Sequence, residues 1–159
     1  MQPRTGAPRA RTPMVAIHAV AGMVALATIL VFWLSTALSE AFGSTATVVA
    51  VKTLIPWGFL ILIPAMAATG GSGFRLARGR TGGKIDAKRK RMIAVAANGI
   101  LILLPSAFFL AARAASDTFD TAFYAIQAIE LVAGAVNITL LGLNMHDGFA
   151  MTRRRKARR

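Results

Sequence analysis

Four long apolar stretches decide what this chain can fold into. They cover residues 14–38, 48–68, 92–112 and 121–143, and together they contain two charged side chains, Lys52 and Glu130. A helix needs about 20 apolar residues to cross roughly 30 Å of hydrocarbon. The apolar runs are continuous, whereas the strands of a membrane barrel alternate apolar and polar residues, so barrel strands are excluded. In lipid, the backbone N–H and C=O groups must form their hydrogen bonds within the same segment, which leaves helices. The sequence predicts an all-α membrane protein, one domain over 1–159, with four transmembrane helices in an up-down-up-down bundle.

Composition supports this prediction and excludes several other classes. Hydrophobic residues make up 55% of the chain and charged residues 16%, whereas soluble domains average about 25% charged residues. Disorder is excluded because it requires low hydrophobicity. The chain has no cysteine, which excludes disulfides, thiolate catalysis and cysteine-ligated metal sites.

The basic residues are confined to alternate connections between the apolar stretches. The N-terminal tail (1–13), the middle loop (69–91) and the C-terminal tail (146–159) hold 17 of the 19 Lys and Arg residues. The other two connections carry Glu40, Asp117 and Asp120, with Arg113 at the edge of a stretch. Since cytoplasmic loops of membrane proteins are rich in Lys and Arg, the pattern predicts that both termini are cytoplasmic. We expect a multi-pass protein of a bacterial inner membrane.

This topology also explains the net charge of +13. Nucleic-acid binding is disfavoured because it calls for aromatic side chains among the cations, for base stacking. The C-terminal tail has no aromatic residue after position 149, and the middle loop has only Phe74. We expect the basic segments to contact anionic lipid headgroups instead.

The two charged residues within the spans are candidate functional residues, because an ionisable group in a membrane is costly. Glu130 follows Thr121 by nine residues, which places it about 13 Å into its span. Its carboxyl group is expected either to pair or to stay protonated. Functionally, it is a candidate for a proton relay or a cation ligand. Lys52 lies nearer the membrane surface, where its long side chain is expected to reach towards Glu40.

Two asparagines form a second polar pattern. Asn98 and Asn137 each lie six residues from the cytoplasmic end of their span, about 9 Å deep. The third and fourth spans are joined by a short connection and should be antiparallel neighbours. The pattern predicts a hydrogen bond between these asparagines, as structural support for the helix pair.

The chain has two histidines, and both are predicted near the cytoplasmic surface. In an up-down bundle the first and last helices are neighbours, so His18 and His146 are expected at similar depth. Gly22 and Gly142 each lie four residues from a histidine, on the same helical face. A smooth face beside an imidazole suits a b-type haem held by two axial histidines. This arrangement resembles that of small four-helix b-type cytochromes. The alternative is that the glycines serve close helix packing and that the histidines are structural.

Three functions are compatible with these features. The first is an accessory or structural subunit of a membrane complex, acting with membrane-protein partners or as a homo-oligomer. The second is a bis-histidine haem protein that transfers electrons. The third is a small transporter or proton path that uses Glu130. The sequence contains no recognisable hydrolase triad or HExxH motif, and it does not specify a metal.

Overall fold

The computed structural model describes residues 11–79 and 82–156, and this part of the chain is almost entirely helical. The helices are α1 (Arg11–Phe42), α2 (Thr45–Ala77), α3 (Gly83–Asn98), α4 (Leu104–Ala115) and α5 (Thr121–Lys156). A π-helical turn, Gly99–Leu103, joins α3 to α4, so that these elements form one continuous rod. Four segments are long and apolar enough to cross a membrane: Pro13–Phe42, Thr45–Ala77, Ile85–Ala115 and Thr121–Gly148.

Contacts between the helices show that consecutive rods run antiparallel. His18, near the start of α1, contacts Ser72 near the end of α2. Arg91, in α3, pairs with Asp147 near the end of α5. α1 also packs against α5, and α2 packs against α4. The four rods therefore form a bundle with two ends, one holding the connection between α2 and α3 and the other holding the two short connections.

The helices extend beyond the apolar stretches that predicted them. Much of the segment 69–91 that we expected as a loop is helical, because α2 continues to Ala77 and α3 begins at Gly83. The expected C-terminal tail is helical as far as Lys156, while residues 1–10 of the N-terminal tail lie outside the described residues. The end of an apolar stretch predicts where the chain leaves the lipid, and the helix can continue beyond that point. Lys and Arg are good helix formers and continue a helix past the membrane.

The π-helical turn lies directly before a proline in the third span. Pro105 has no backbone N–H, and in a regular helix its ring collides with the carbonyl group four residues earlier. The backbone N–H of Leu104 bonds to Gly99 O, five residues back. Widening one turn relieves this conflict without ending the helix. Pro56 and Pro64, by contrast, lie inside α2, which continues as one helix.

The bundle carries large apolar side chains on its outside, and its interior combines hydrophobic clusters around residues such as Leu110, Val95 and Phe59 with buried polar side chains. Leu54, Trp57, Leu60 and Leu101 are among its most exposed residues. The buried polar residues among those described are Thr36, Ser39, Lys52, Thr69, Ser72, Ser106, Gln127, Asn137 and Asn144. A surface of this kind suits lipid rather than water. The chain is a multi-pass membrane protein with four helical spans.

Candidate functional site

The inward face of α5 is a polar seam. Its members are separated alternately by three and four residues, a spacing that keeps them on one face of a helix. They are Gln127, Glu130, Gly134, Asn137, Leu141 and Asn144. All are buried except Glu130, whose side chain keeps 13% of its surface exposed. Among the described residues, α5 therefore contributes three of the nine buried polar side chains, and Glu130 lies on the same face.

Glu130 forms an ion pair with Lys52 at the centre of this polarity. Lys52 Nζ donates to Glu130 Oε2 at 2.7 Å, and the lysine side chain is 1% exposed. The two residues follow the starts of α2 and α5 by seven and nine positions, which is about 10 and 13 Å of helix. Because α2 and α5 start at the same end of the bundle, the two charges reach the same depth. The pairing expected for Glu130 is thus present, and Lys52 binds Glu130 rather than Glu40.

Further polar groups from α1 and α5 surround the ion pair. Thr36 Oγ1 accepts a hydrogen bond from Lys52 Nζ at 3.5 Å, and Gln127 Nε2 donates to Glu130 Oε2 at 3.5 Å. Glu40 interacts electrostatically with both members of the pair. We call Thr36, Glu40, Lys52, Gln127 and Glu130 the charged cluster. Its formal charge is −1 when all three ionisable groups are charged.

The charged cluster contains two buried oxygen atoms with no hydrogen-bond partner. They are Glu40 Oε1 and Gln127 Oε1. Leaving a buried acceptor unpaired costs about 1–3 kcal/mol. Both atoms are acceptors and the cluster is formally negative, so it lacks a proton donor or a cation.

A cavity of about 60 Å³ adjoins the charged cluster and extends towards the middle of the bundle. Glu130 and Thr36 line its polar end, and Phe32, Phe59 and Leu62 contribute to its apolar wall. One water occupies about 10–15 Å³ by this measure, so about four waters fit. Water or a small solute therefore has room directly beside the Glu130 carboxylate.

The asparagine pair lies about one helical turn along α5 from Gly134, which lines the cavity. Asn98 Nδ2 donates to Asn137 Oδ1 at 2.8 Å, so the predicted hydrogen bond is present. The same Nδ2 group donates to Ala133 O at 2.8 Å. Asn137 Nδ2 donates in turn to Val95 O at 3.4 Å. These bonds fasten the third span to α5 just before the π-helical turn, and they use the NH₂ group of Asn98 and both polar groups of Asn137, which supports a structural role.

His18 faces α2 rather than the last helix. Its Nδ1 lies 3.0 Å from Thr69 O and 3.0 Å from Ser72 Oγ. A carbonyl oxygen only accepts, so the Thr69 bond requires a proton on Nδ1 and leaves a lone pair on Nε2. A histidine that ligates a metal commonly donates its other N–H in this way. The same hydrogen bonds also describe a histidine that only links α1 to α2.

The other residues of the predicted haem site do not complete it. His146 is exposed on α5, and the contacts described for His18 do not include it. A Cβ atom at Gly22 would lie 3.7 Å from Thr69 Cγ2, whereas the space beside Gly142 is open. Thr69 therefore packs against the face at Gly22 that we expected to meet a porphyrin. The haem site stays a prediction, and the contacts described for His18 do not bring the two histidines together.

Metal and family comparisons add no further assignment. Within the described ranges, no group of three or more His, Cys, Asp or Glu side chains is placed to hold a metal ion. Comparison of the chain with family models, curated proteins and solved structures found no match.

Sequence reasoning missed several members of the interior. Glu130, Lys52, Asn98 and Asn137 were found because single polar residues stand out in an apolar run. The residues that we missed are Thr36, Ser39, Ser72, Gln127 and Asn144. Gln127, Glu130, Asn137 and Asn144 are separated by three, seven and seven residues. This spacing places them on one helical face and could have predicted that they share the interior.

Proposed function

We propose that this protein carries protons or a small monovalent cation into or across the membrane through the charged cluster. The observation behind the proposal is the buried Lys52–Glu130 pair, which lies beside a cavity and two unpartnered acceptor oxygens. Ionisable groups inside a membrane are costly, and ion and proton pathways are among the functional sites that they mark. Here an additional proton or cation would satisfy atoms that the bundle leaves without a partner.

In this proposal, protonation of Glu130 is coupled to a rearrangement of the charged cluster. A neutral Glu130 leaves Lys52 charged and buried without its counterion, at a cost of several kcal/mol. The bundle relieves that cost by transferring the lysine proton onwards or by separating α2 from α5. Either response changes which groups the cluster presents to the cavity. Four helices are few for a transporter, so we propose that the working unit is a homo-oligomer.

Access is proposed from the end of the bundle that holds the two short connections. Glu40 lies near that end, on the last turn of α1, and Asp117 and Asp120 lie in the connection before α5. We further propose, from the distribution of Lys and Arg, that this end faces away from the cytoplasm of a bacterial cell. The cluster then receives protons or cations from outside the inner membrane.

An accessory role in a larger membrane complex is the second candidate. Trp57 is 71% exposed and follows the start of α2 by 12 residues, which is about 18 Å of helix. Tryptophan in membrane proteins is concentrated at the two interfaces rather than at the midplane. An exposed Trp57 at this depth favours contact with another helix, from a partner protein or a second copy.

Proton flux into reconstituted vesicles tests the first candidate. Vesicles containing a pH-sensitive dye are given a potassium diffusion potential with valinomycin, and the internal pH is followed. We expect flux well above that of protein-free vesicles, abolished in Glu130→Gln and retained in Thr139→Val, whose hydroxyl group bonds within its own exposed helical turn. A parallel measurement with a sodium gradient separates proton from cation transport. Wild-type flux equal to protein-free vesicles for both ions contradicts the proposal, as does full flux in Glu130→Gln.

A further inference from the structure

A second polar cluster lies at the opposite end of the bundle, where the third span meets α5. Arg91 Nη1 donates to Asp147 Oδ2 at 2.6 Å and to Asn144 Oδ1 at 3.4 Å. Lys88 precedes Arg91 by three residues and lies on the same face of α3. Its Nζ would lie 3.7 Å from a Cβ atom at Gly148. Lys88, Arg91, Asn144 and Asp147 form what we call the basic pocket.

The electrostatic character of the basic pocket is opposite to that of the charged cluster. Two cations face one carboxylate, which leaves a formal charge of +1. His18, the titratable group that faces the pocket from α1, interacts electrostatically with Lys88. The pocket therefore attracts an anion rather than a cation.

A buried donor in the same pocket lacks a partner. Asn144 is 5% exposed, and its Nδ2 group is buried without a hydrogen-bond acceptor. Its Oδ1 atom is held by Arg91, which fixes the amide with Nδ2 as the donor. A group with several oxygens can accept from this amide N–H and from the two cations together, and phosphate is such a group.

The level of the pocket in the membrane matches that of lipid phosphates. Arg91 directly precedes the apolar run that begins at Met92, and Asn144 directly follows the run that ends at Leu143. The pocket thus lies where hydrocarbon gives way to headgroups. We propose that the basic pocket binds a phosphate group, carried by an anionic lipid headgroup or by a free phosphate. The site does not depend on the proposed transport function.

Retention of lipid by the intact protein tests the proposal. The protein is purified in a mild detergent with equal amounts of phosphatidylglycerol and phosphatidylcholine, and bound lipid is measured by native mass spectrometry. Hydrogen bonds to charged groups contribute about 1.5–3 kcal/mol, so Lys88→Met is expected to lower phosphatidylglycerol retention about tenfold or more. Lys90→Met is the matched control, because it removes the same charge from an exposed position on the same helix. Asn144→Leu is expected to lower retention as Lys88→Met does.

The source of the phosphate is distinguished by a second arm. Inorganic phosphate is added to delipidated protein, and the unfolding temperature is compared with that in chloride at equal ionic strength. Lipid retention that depends on Lys88 and Asn144 identifies a headgroup site. A phosphate-dependent rise in unfolding temperature, lost in both variants and without lipid retention, identifies a site for free phosphate. Equal effects of Lys88→Met and Lys90→Met, or no effect of phosphate in either arm, overturn the proposal. Lys88→Arg keeps the charge and is expected to restore binding, which separates lost binding from lost folding.

Discussion

Lys52 Nζ lies 2.7 Å from Glu130 Oε2, although the two residues are 78 positions apart in the chain. The contact ties α2 to α5 near the end of the bundle that holds the short connections. The charge of Lys52 is almost entirely removed from solvent. Of the three ion pairs among the described residues it is the most deeply buried, so its loss leaves the charge that solvent compensates least.

Removing one member of this pair should destabilise the fold strongly. Lys52→Met keeps a long unbranched side chain, one atom shorter than lysine, and leaves the Glu130 carboxylate without its counterion. We expect a loss of about 3–5 kcal/mol, as for other broken buried ion pairs. Unfolding in mixed micelles of increasing sodium dodecyl sulfate, followed by near-ultraviolet circular dichroism, measures the change. The double variant Lys52→Met with Glu130→Gln removes both charges and should recover most of the loss; a double variant as unstable as Lys52→Met would contradict the ion-pair interpretation.

The asparagine pair should contribute less than the ion pair to the free energy of unfolding, as expected of a structural contact. Asn137→Leu removes the acceptor for Asn98 Nδ2 and the donor to Val95 O. Hydrogen bonds between membrane helices are worth about 0.6–2 kcal/mol, and we expect a loss in this range. The same unfolding assay applies, with Thr139→Val as the control because its hydroxyl group bonds only to its own helix. Proton flux in vesicles should be unchanged by Asn137→Leu if the pair is structural.

Two glycines on α5 should respond in opposite directions to the same substitution. A Cβ atom at Gly134 would lie 2.8 Å from Trp33 Cδ1, whereas the space beside Gly142 is open. Overpacking costs about 1–3 kcal/mol, so Gly134→Ala should destabilise the bundle by this amount. Gly142→Ala should be neutral or stabilising by up to about 1 kcal/mol, because alanine is the better helix former. Equal effects at both positions would show that Trp33 does not pack against Gly134 in the membrane.

Substitutions of the two histidines should have different effects on stability. His18→Leu removes the bonds to Thr69 and Ser72, and we expect a loss of about 1 kcal/mol. His146→Leu, at an exposed position, should leave stability unchanged. Optical spectra of the same preparations, oxidised and then reduced with dithionite, test the haem prediction. A Soret band lost in both variants would establish a bis-histidine haem, and a colourless wild-type protein after haem supplementation would contradict it.

The proposed orientation is open to a labelling test, because the chain has no cysteine of its own. Ser116→Cys is a nearly isosteric change in the connection before α5, and Gly83→Cys adds a thiol at the start of α3, where a Cβ atom has open space. We expect a membrane-impermeant maleimide to label Ser116→Cys in intact cells. Gly83→Cys should react only after permeabilisation. The reverse pattern would place the termini outside.

The sequence predicted the four spans and the asparagine contact because both depend on features close together in the chain. Long apolar runs specify spanning helices, and Asn98 and Asn137 lie on spans joined by a tight connection. The partner of Lys52 was not predictable in the same way. Glu40 and Glu130 are both within reach of a lysine at that depth, and the choice between them depends on how α2 rotates against α1 and α5. The rotation of α1 similarly turns His18 towards Ser72, which no spacing in the sequence reveals.

The unpartnered atoms of the interior were beyond sequence reasoning for a different reason. Whether Gln127 Oε1 or Asn144 Nδ2 finds a partner depends on side-chain geometry of a few tenths of an ångström. The sequence shows that these residues share a helical face with Glu130 and Asn137. It does not show which of their atoms lack a hydrogen bond. Those atoms support the proposed transport through the charged cluster and the proposed phosphate binding in the basic pocket.

The distance along the chain between Lys52 and Glu130 has a consequence for how the protein is made. Synthesis proceeds at about 5–20 residues per second, so Lys52 leaves the ribosome several seconds before Glu130 is added. During that interval Lys52 lacks its partner on α5, and Glu40 of α1 is the acidic residue already present near it. The first helical hairpin is therefore incomplete until α5 arrives. A ribosome stalled after the third span should leave a product that quality-control proteases recognise.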